Sequence, residues 1–154
     1  MVKNEIKIGI LGYGEVGQAI AKFYRNPRLR KHFGGQAKIK DLNRDDNLKG
    51  VDILHICIPW SEKFIETVRK ETKRIRPKLT IIHSTVPIGA TKKIGGKIVH
   101  SPIRGVHPNL EQGIKTFVKY IGADDKKAGQ TAKKHLESLG IKTKVFYPST
   151  TTEI

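Results

Sequence analysis

Along the whole chain, short apolar runs rich in β-branched residues alternate with amphipathic stretches. Residues 6–11 (IKIGIL) read as a buried strand. Residues 15–25 (EVGQAIAKFYR) read as a helix, because Val16, Ala19, Ile20 and Phe23 recur at helical spacing and Pro27 ends the run. Residues 36–41 supply a second strand. Residues 51–59 (VDILHICIP) are apolar almost throughout, the pattern of a central strand covered on both faces. A helix over 62–76 follows, with Phe64, Ile65, Val68 and Ile75 on one side, Ser61 as its N-cap and Pro77 as its stop. Further strands are predicted at 79–84, 96–101 and 116–122. The last helix turns Ala128, Ala132, His135, Leu136 and Leu139 inward and stops at Gly140, and residues 141–147 (IKTKVFY) close the series. Such alternation predicts an α/β fold: a Rossmann-type, doubly wound, mainly parallel sheet with helices on both faces and right-handed crossovers.

Composition narrows this reading only slightly. The 154 residues, 37% of them hydrophobic, suit one domain with its own core, taken as residues 1–154. No run is long and apolar enough to span a membrane and no secretory leader opens the chain, so a cytoplasmic protein with no membrane partner is expected. The single cysteine, Cys57, falls inside an apolar strand and reads as a buried small residue rather than a nucleophile. No metal is expected. The net charge of +16 draws anions toward the surface, but the lysines and arginines are scattered, so nucleic acid is not the expected partner. A basic Rossmann-shaped module binding nucleic acid or an acidic partner is the alternative that rests on this charge alone.

The chemistry begins at KIGILGYGEVGQAI, residues 7–20. Gly12, Gly14 and Gly17 form G-x-G-x-x-G between a strand and a helix, the setting in which each glycine has a task. Gly12 permits the tight turn, Gly14 lets the backbone approach a pyrophosphate, and Gly17 lets the helix pack closely. Tyr13, Glu15 and Val16 complete this cofactor-facing loop, whose helix-start amides favour a diphosphate. The competing reading is a tight turn and nothing more. Asp41, 24 positions after Gly17, stands where an acid would accept hydrogen bonds from a ribose hydroxyl, or else is a solvated loop acid. An acid there selects NAD; Arg44 and the basic connection over 26–35 keep NADP as the alternative.

From Val51 onward the chain resembles the nucleotide-sugar dehydrogenases, the UDP-glucose and GDP-mannose dehydrogenase group. VDILHICIPW is similar to their fourth-strand segment, and HSTVPIGAT (83–91) resembles their S-T-V-P-x-G-T loop with Ala90 inserted before Thr91. The resemblance implies an NAD-binding domain with Thr85 near the nicotinamide, Ser84 beside it, and Pro59 and Trp60 walling the same crevice. A hydroxyl at the C-terminal edge of a parallel sheet is well placed for such a contact, and Pro87 stiffens its loop. Ser84 and Thr85 as turn hydroxyls, and Trp60 as a packing or subunit-contact residue, are the structural alternatives.

The next segment departs from that pattern. HSPIRGVHPNLEQG (100–113) stands where those enzymes carry a catalytic glutamate motif, and is also similar to the H-P element of prephenate and arogenate dehydrogenases. Arg104, His107 and Asn109 suit an anionic, oxygen-rich substrate such as a nucleotide sugar, with Glu111 a weaker candidate; a structural role for His107 is the alternative. In the resembled family a linking helix and a second domain supply a catalytic Cys, a Lys and much of the substrate site. TTE near residue 154 resembles the N-cap of that helix, so the chain is expected to be the cofactor half of such an oxidoreductase, a piece of a longer enzyme or a free-standing relative, unable to complete catalysis alone. A prephenate- or hydroxyacid-type dehydrogenase domain is the runner-up. A homodimer is left open, because the absent parts would carry its interface.

Overall fold

The computed structural model describes residues 5–28, 37–103 and 110–154. Its strands are β1 (Ile8–Leu11), β2 (Lys38–Asp41), β3 (Arg44–Asp45), β4 (Ile53–Ile56), β5 (Leu79–Ile82), β6 (Ile98–His100), β7 (Lys119–Ala123) and β8 (Thr143–Phe146). Helices α1 (Glu15–Tyr24), α2 (Phe64–Ile75), α3 (Ala90–Ile94), α4 (Leu110–Thr116) and α5 (Lys126–Ser138) connect them, and a 3-10 turn covers Ser149–Thr151. The strands form one sheet in the order β3-β2-β1-β4-β5-β6-β7-β8. β2, β1, β4, β5 and β6 run parallel; β3 returns antiparallel on β2, and β7 is antiparallel to β6 but parallel to β8. This is the Rossmann-type doubly wound sheet that the alternation predicts.

Both faces are covered, which explains why β1, β4 and β5 are buried in every position rather than alternating. On one face Ile10, Ile53, Ile81 and Ile121 pack against Ile20, Tyr24, Ile114, Ala132 and Leu136 of α1, α4 and α5. On the other, Leu54, Ile56 and Ile82 meet Phe64, Val68, Ile75, Ala90 and Ile94 of α2 and α3. Gly140, at φ 84°, follows α5 as its left-handed stop.

Three local expectations change. The Ser61 hydroxyl does not cap α2; that helix starts at Phe64, its N-cap Lys63 makes no side-chain bond, and Ser61 serves only through its carbonyl, which accepts from the Phe64 amide at 3.0 Å. Helices α3 and α4 lie where the apolar pattern predicts no helix. The strand expected over 116–122 begins only at Lys119, because α4 runs to Thr116. In the TTE stretch Thr152 and Glu153 fold back, and the Glu153 carboxylate accepts from the amides of Gly89 and Thr91, both at 2.8 Å, so the acid caps α3.

Candidate functional site

The neighbours of β1 are β2 on one side and β4 on the other, so the crossovers leave in opposite directions and open a crevice at the C-terminal ends of the strands. A cleft of about 790 Å³ occupies that place, within the ~300–1,000 Å³ usual for small-molecule sites. Its walls are Gly14, Glu15 and Val16 from the start of α1, Cys57 to Trp60 after β4, His83 to Pro87 after β5, and Ile103, Leu110 and Ile154.

The three glycines of the first turn meet different surroundings. Gly12 has φ 100°, and a Cβ there would lie 2.8 Å from the Cys57 carbonyl group, so the turn is pressed against the end of β4. At Gly17 a Cβ would lie 2.0 Å from the Gly12 carbonyl oxygen. Gly14 is open: an added Cβ meets nothing within 4 Å, and the residue faces the cleft. Its carbonyl accepts the first backbone bond of α1, from Gln18 at 2.9 Å, and no side chain caps the turn before it. Amides at a helix start stand outside the intrahelical ladder, which together with an unobstructed glycine makes a cradle suited to a diphosphate.

Glu15, Val16, Pro59, Trp60, Ser84 and Thr85 also line the cleft. Trp60 does two things, since it is 39% exposed at the cleft and its ring lies 5.2 Å from that of Phe64. The Ser84 hydroxyl donates to the Ile58 carbonyl and ties the two strand-end loops together, whereas Thr85 is exposed. Tyr13 is half-buried outside the lining and its phenol oxygen accepts from Arg25 at 2.8 Å. Asp41 ends β2 beside the glycine turn: the Gly12 amide donates to the carbonyl of the preceding residue, Lys40, at 2.8 Å. Arg104, His107 and Asn109 lie outside the described residues. Glu111 points elsewhere, pairing with Lys115 at 3.0 Å and Lys22 at 3.5 Å, which hold its carboxyl below the usual carboxylate range.

Behind the cleft, between the sheet and α1 with α5, lies a layer of buried polar groups. Tyr24 Oη is hydrogen-bonded to His55 Nε2 at 2.6 Å and to His135 Nε2 at 2.7 Å, and His55 Nδ1 to His83 Nε2 at 2.7 Å. Burial is the main cause of every shift here: it drives His55 and His83 well below the ordinary imidazole value, His135 down to about 4, and the Tyr24 phenol well up. It also pushes the Cys57 thiol up to about 12, so that residue is a protonated wall group. Lys119 on β7, fully buried, is brought down to about 7; its ammonium donates to the Ser101 carbonyl. His100 bridges the Thr152 hydroxyl, at 2.8 Å, and the Ser84 carbonyl, at 2.9 Å.

The apolar pattern signals this layer only faintly. His55 and His83 take the same strand face as Ile53 and Ile81, so a histidine inside an otherwise apolar central strand is the available sign. Tyr24 and His135, from helices far apart in sequence, carry no sign that they meet.

No protein-family model matches this sequence, and no curated protein sequence does. Solved structures do match. The structure of UDP-D-ManNAc dehydrogenase from Pyrococcus horikoshii superposes with a TM-score of 0.75 at 18% identity, covering 94% of this chain and 48% of that one. A UDP-glucose dehydrogenase from Pyrobaculum islandicum gives 0.68 at 17%, with 97% and 48% covered. Prephenate dehydrogenase from A. aeolicus, in complex with hydroxyphenyl propionate and NAD+, gives 0.71 at 16%, with 98% and 62% covered. The likeness is one of fold. The chain spans about half the length of the UDP-sugar dehydrogenases it matches.

Proposed function

We propose that this chain is the NAD-binding part of an oxidoreductase of the nucleotide-sugar dehydrogenase kind. The observation that carries the reading is Gly14, a glycine with open space over it at the start of α1, facing a cleft at the switch point of the sheet. The pyrophosphate would rest on the first-turn amides of α1, and Asp41 would accept from the adenosine ribose. The nicotinamide would lie toward Thr85, between Pro59 and Trp60. NAD supplies the hydride acceptor; the chain orients it, and the apolar walls Val16, Ile58 and Val86 keep water from the ring. The matched folds of UDP-sugar dehydrogenases support this reading, as do the two motifs of the sequence. Arg104, His107 and Asn109 are offered as contacts to an anionic substrate, and the groups that activate the substrate alcohol as the contribution of a further domain.

Calorimetric titration of the folded chain with NAD and NADP tests this. Saturable binding of NAD, weaker binding of NADP, and loss of that preference in Asp41→Asn are expected; no heat from either at roughly millimolar ligand would overturn it. The prephenate-type reading is favoured by one observation, the likeness to the A. aeolicus enzyme over 98% of this chain. Turnover of prephenate or arogenate by the protein, with none of UDP-sugars, would decide for it.

A further inference from the structure

The bonds among Tyr24, His55, His83 and His135 admit a count of protons. Each neutral imidazole has one N–H and the phenol one O–H, and each of the three contacts takes one hydrogen. If Tyr24 donates to His55 Nε2, then His55 Nδ1 must donate to His83 Nε2, His83 carries its proton on Nδ1, and His135 Nε2 donates to Tyr24. If Tyr24 donates to His135, every bond reverses: His55 donates to Tyr24, His83 Nε2 donates to His55, and His83 Nδ1 is bare. With the phenol proton inside the chain, these three contacts among the described residues admit only these two arrangements, which differ by one proton moved from end to end.

The two ends lie in different places. His83 lines the cleft, and its Nδ1 is buried with no hydrogen-bond partner among the described residues. The Ser101 carbonyl lies beside this ring, where it favours a proton on His83, and it also accepts from Lys119. His135 is 6% exposed, in the last turns of α5 and away from the cleft lining. Burial keeps all four groups uncharged near neutral pH, so a proton is passed on rather than stored. Lys119, Cys57 and His100 are the other titratable groups acting on these rings.

We infer that this chain is a proton relay from the floor of the cleft to α5. Given the NAD-binding reading, on which its role in turnover rests, oxidation of an alcohol by NAD+ yields a carbonyl, NADH and one proton. That proton is taken by the bare His83 Nδ1; the Nε2 proton of His83 passes to His55 Nδ1, that of His55 Nε2 to Tyr24, the phenol proton to His135 Nε2, and the Nδ1 proton of His135 to solvent water beside α5. One proton enters and one departs; the chain resets by the reverse passage, in which His135 Nδ1 regains a proton and His83 Nδ1 releases one to water in the emptied cleft.

Nitrogen-15 spectra of the histidine-labelled full chain test the relay without substrate. All three rings are expected neutral at pH 7, with tautomers of one sense along the chain. A cationic ring, or His55 and His135 both donating to Tyr24 from Nε2, would overturn it. Addition of NAD+ is expected to shift His83 and His135 together, and in Tyr24→Phe to shift His83 alone. His83 responding while His135 stays still in the wild-type protein would overturn it, as would joint shifts in the variant. If NAD+ moves no resonance, the cofactor reading fails while the ligand-free tautomers still judge the relay.

Discussion

A methyl group on Gly17 would stand 2.0 Å from the carbonyl oxygen of Gly12, so the first turn of α1 and the turn before it are in direct contact. Two residues of the same motif, Gly17 and Gly14, therefore serve opposite ends: one closes the packing and the other leaves a space.

That contrast gives a paired prediction. Gly17→Ala must push α1 off the turn and is expected to lower stability by about 1–3 kcal/mol or more, the usual range for overpacking. Gly14→Ala, with nothing near its Cβ, should change stability by roughly 0.5 kcal/mol or less while weakening dinucleotide binding at least tenfold. Urea denaturation with calorimetry on each variant checks both. Equal stability losses would show that the two glycines are not divided in this way.

How much of this was legible beforehand follows from the range of the interactions. The apolar strands and the two long amphipathic helices, α2 and α5, follow from local periodicity, and the glycine turn from spacing alone. Helices of 5 and 7 residues are too short to show a period, so the pattern predicts neither α3 nor α4. The partners of Glu153 are 64 and 62 positions away, and His135 meets Tyr24 across 111. Contacts of that span belong to the topology. Glu153 caps α3, a helix that precedes it in the chain, and no local pattern could show that pairing.

Glu153 supplies the second prediction. Its carboxylate is 7% exposed as a residue and satisfies two amides at the start of α3, next to the loop that carries Thr85. Glu153→Ala is expected to cost about 1–2 kcal/mol, the scale of a lost cap, and to raise amide exchange at Gly89 and Thr91 before the rest of the chain. Unchanged exchange at those two amides would remove the capping role.

The buried histidines set an acid window. Unfolded histidine binds its proton near 6.5, whereas folded His135 stays neutral down to about 4, with His55 and His83 also lowered. The unfolded state thus binds more protons between these values, so the histidine contribution to stability is full above pH ~6.5 and falls as pH drops toward 4, by roughly 3 kcal/mol for His135 alone. Denaturation midpoints from pH 7.5 to 4.5 measure this slope. His135→Gln should flatten it, and an unaltered slope would mean that His135 charges freely in the folded protein.

Lys119 sets a second, alkaline window of different origin. Unfolded lysine holds its proton up to about 10.5, while burial brings the folded value to about 7. Below pH 7 both states are protonated and the full cost of the buried charge is present, on the order of 5 kcal/mol; between 7 and 10.5 the unfolded state binds more protons, so stability rises with pH. Lys119→Met removes that cost but leaves the Ser101 carbonyl without its donor, a loss of about 1–3 kcal/mol. The variant should therefore be more stable than the wild type at pH 6 and less stable at pH 10, with the two stability curves crossing between. Parallel curves from denaturation across this range would show that the ammonium is solvated and that the layer behind the cleft is wetter than its packing implies.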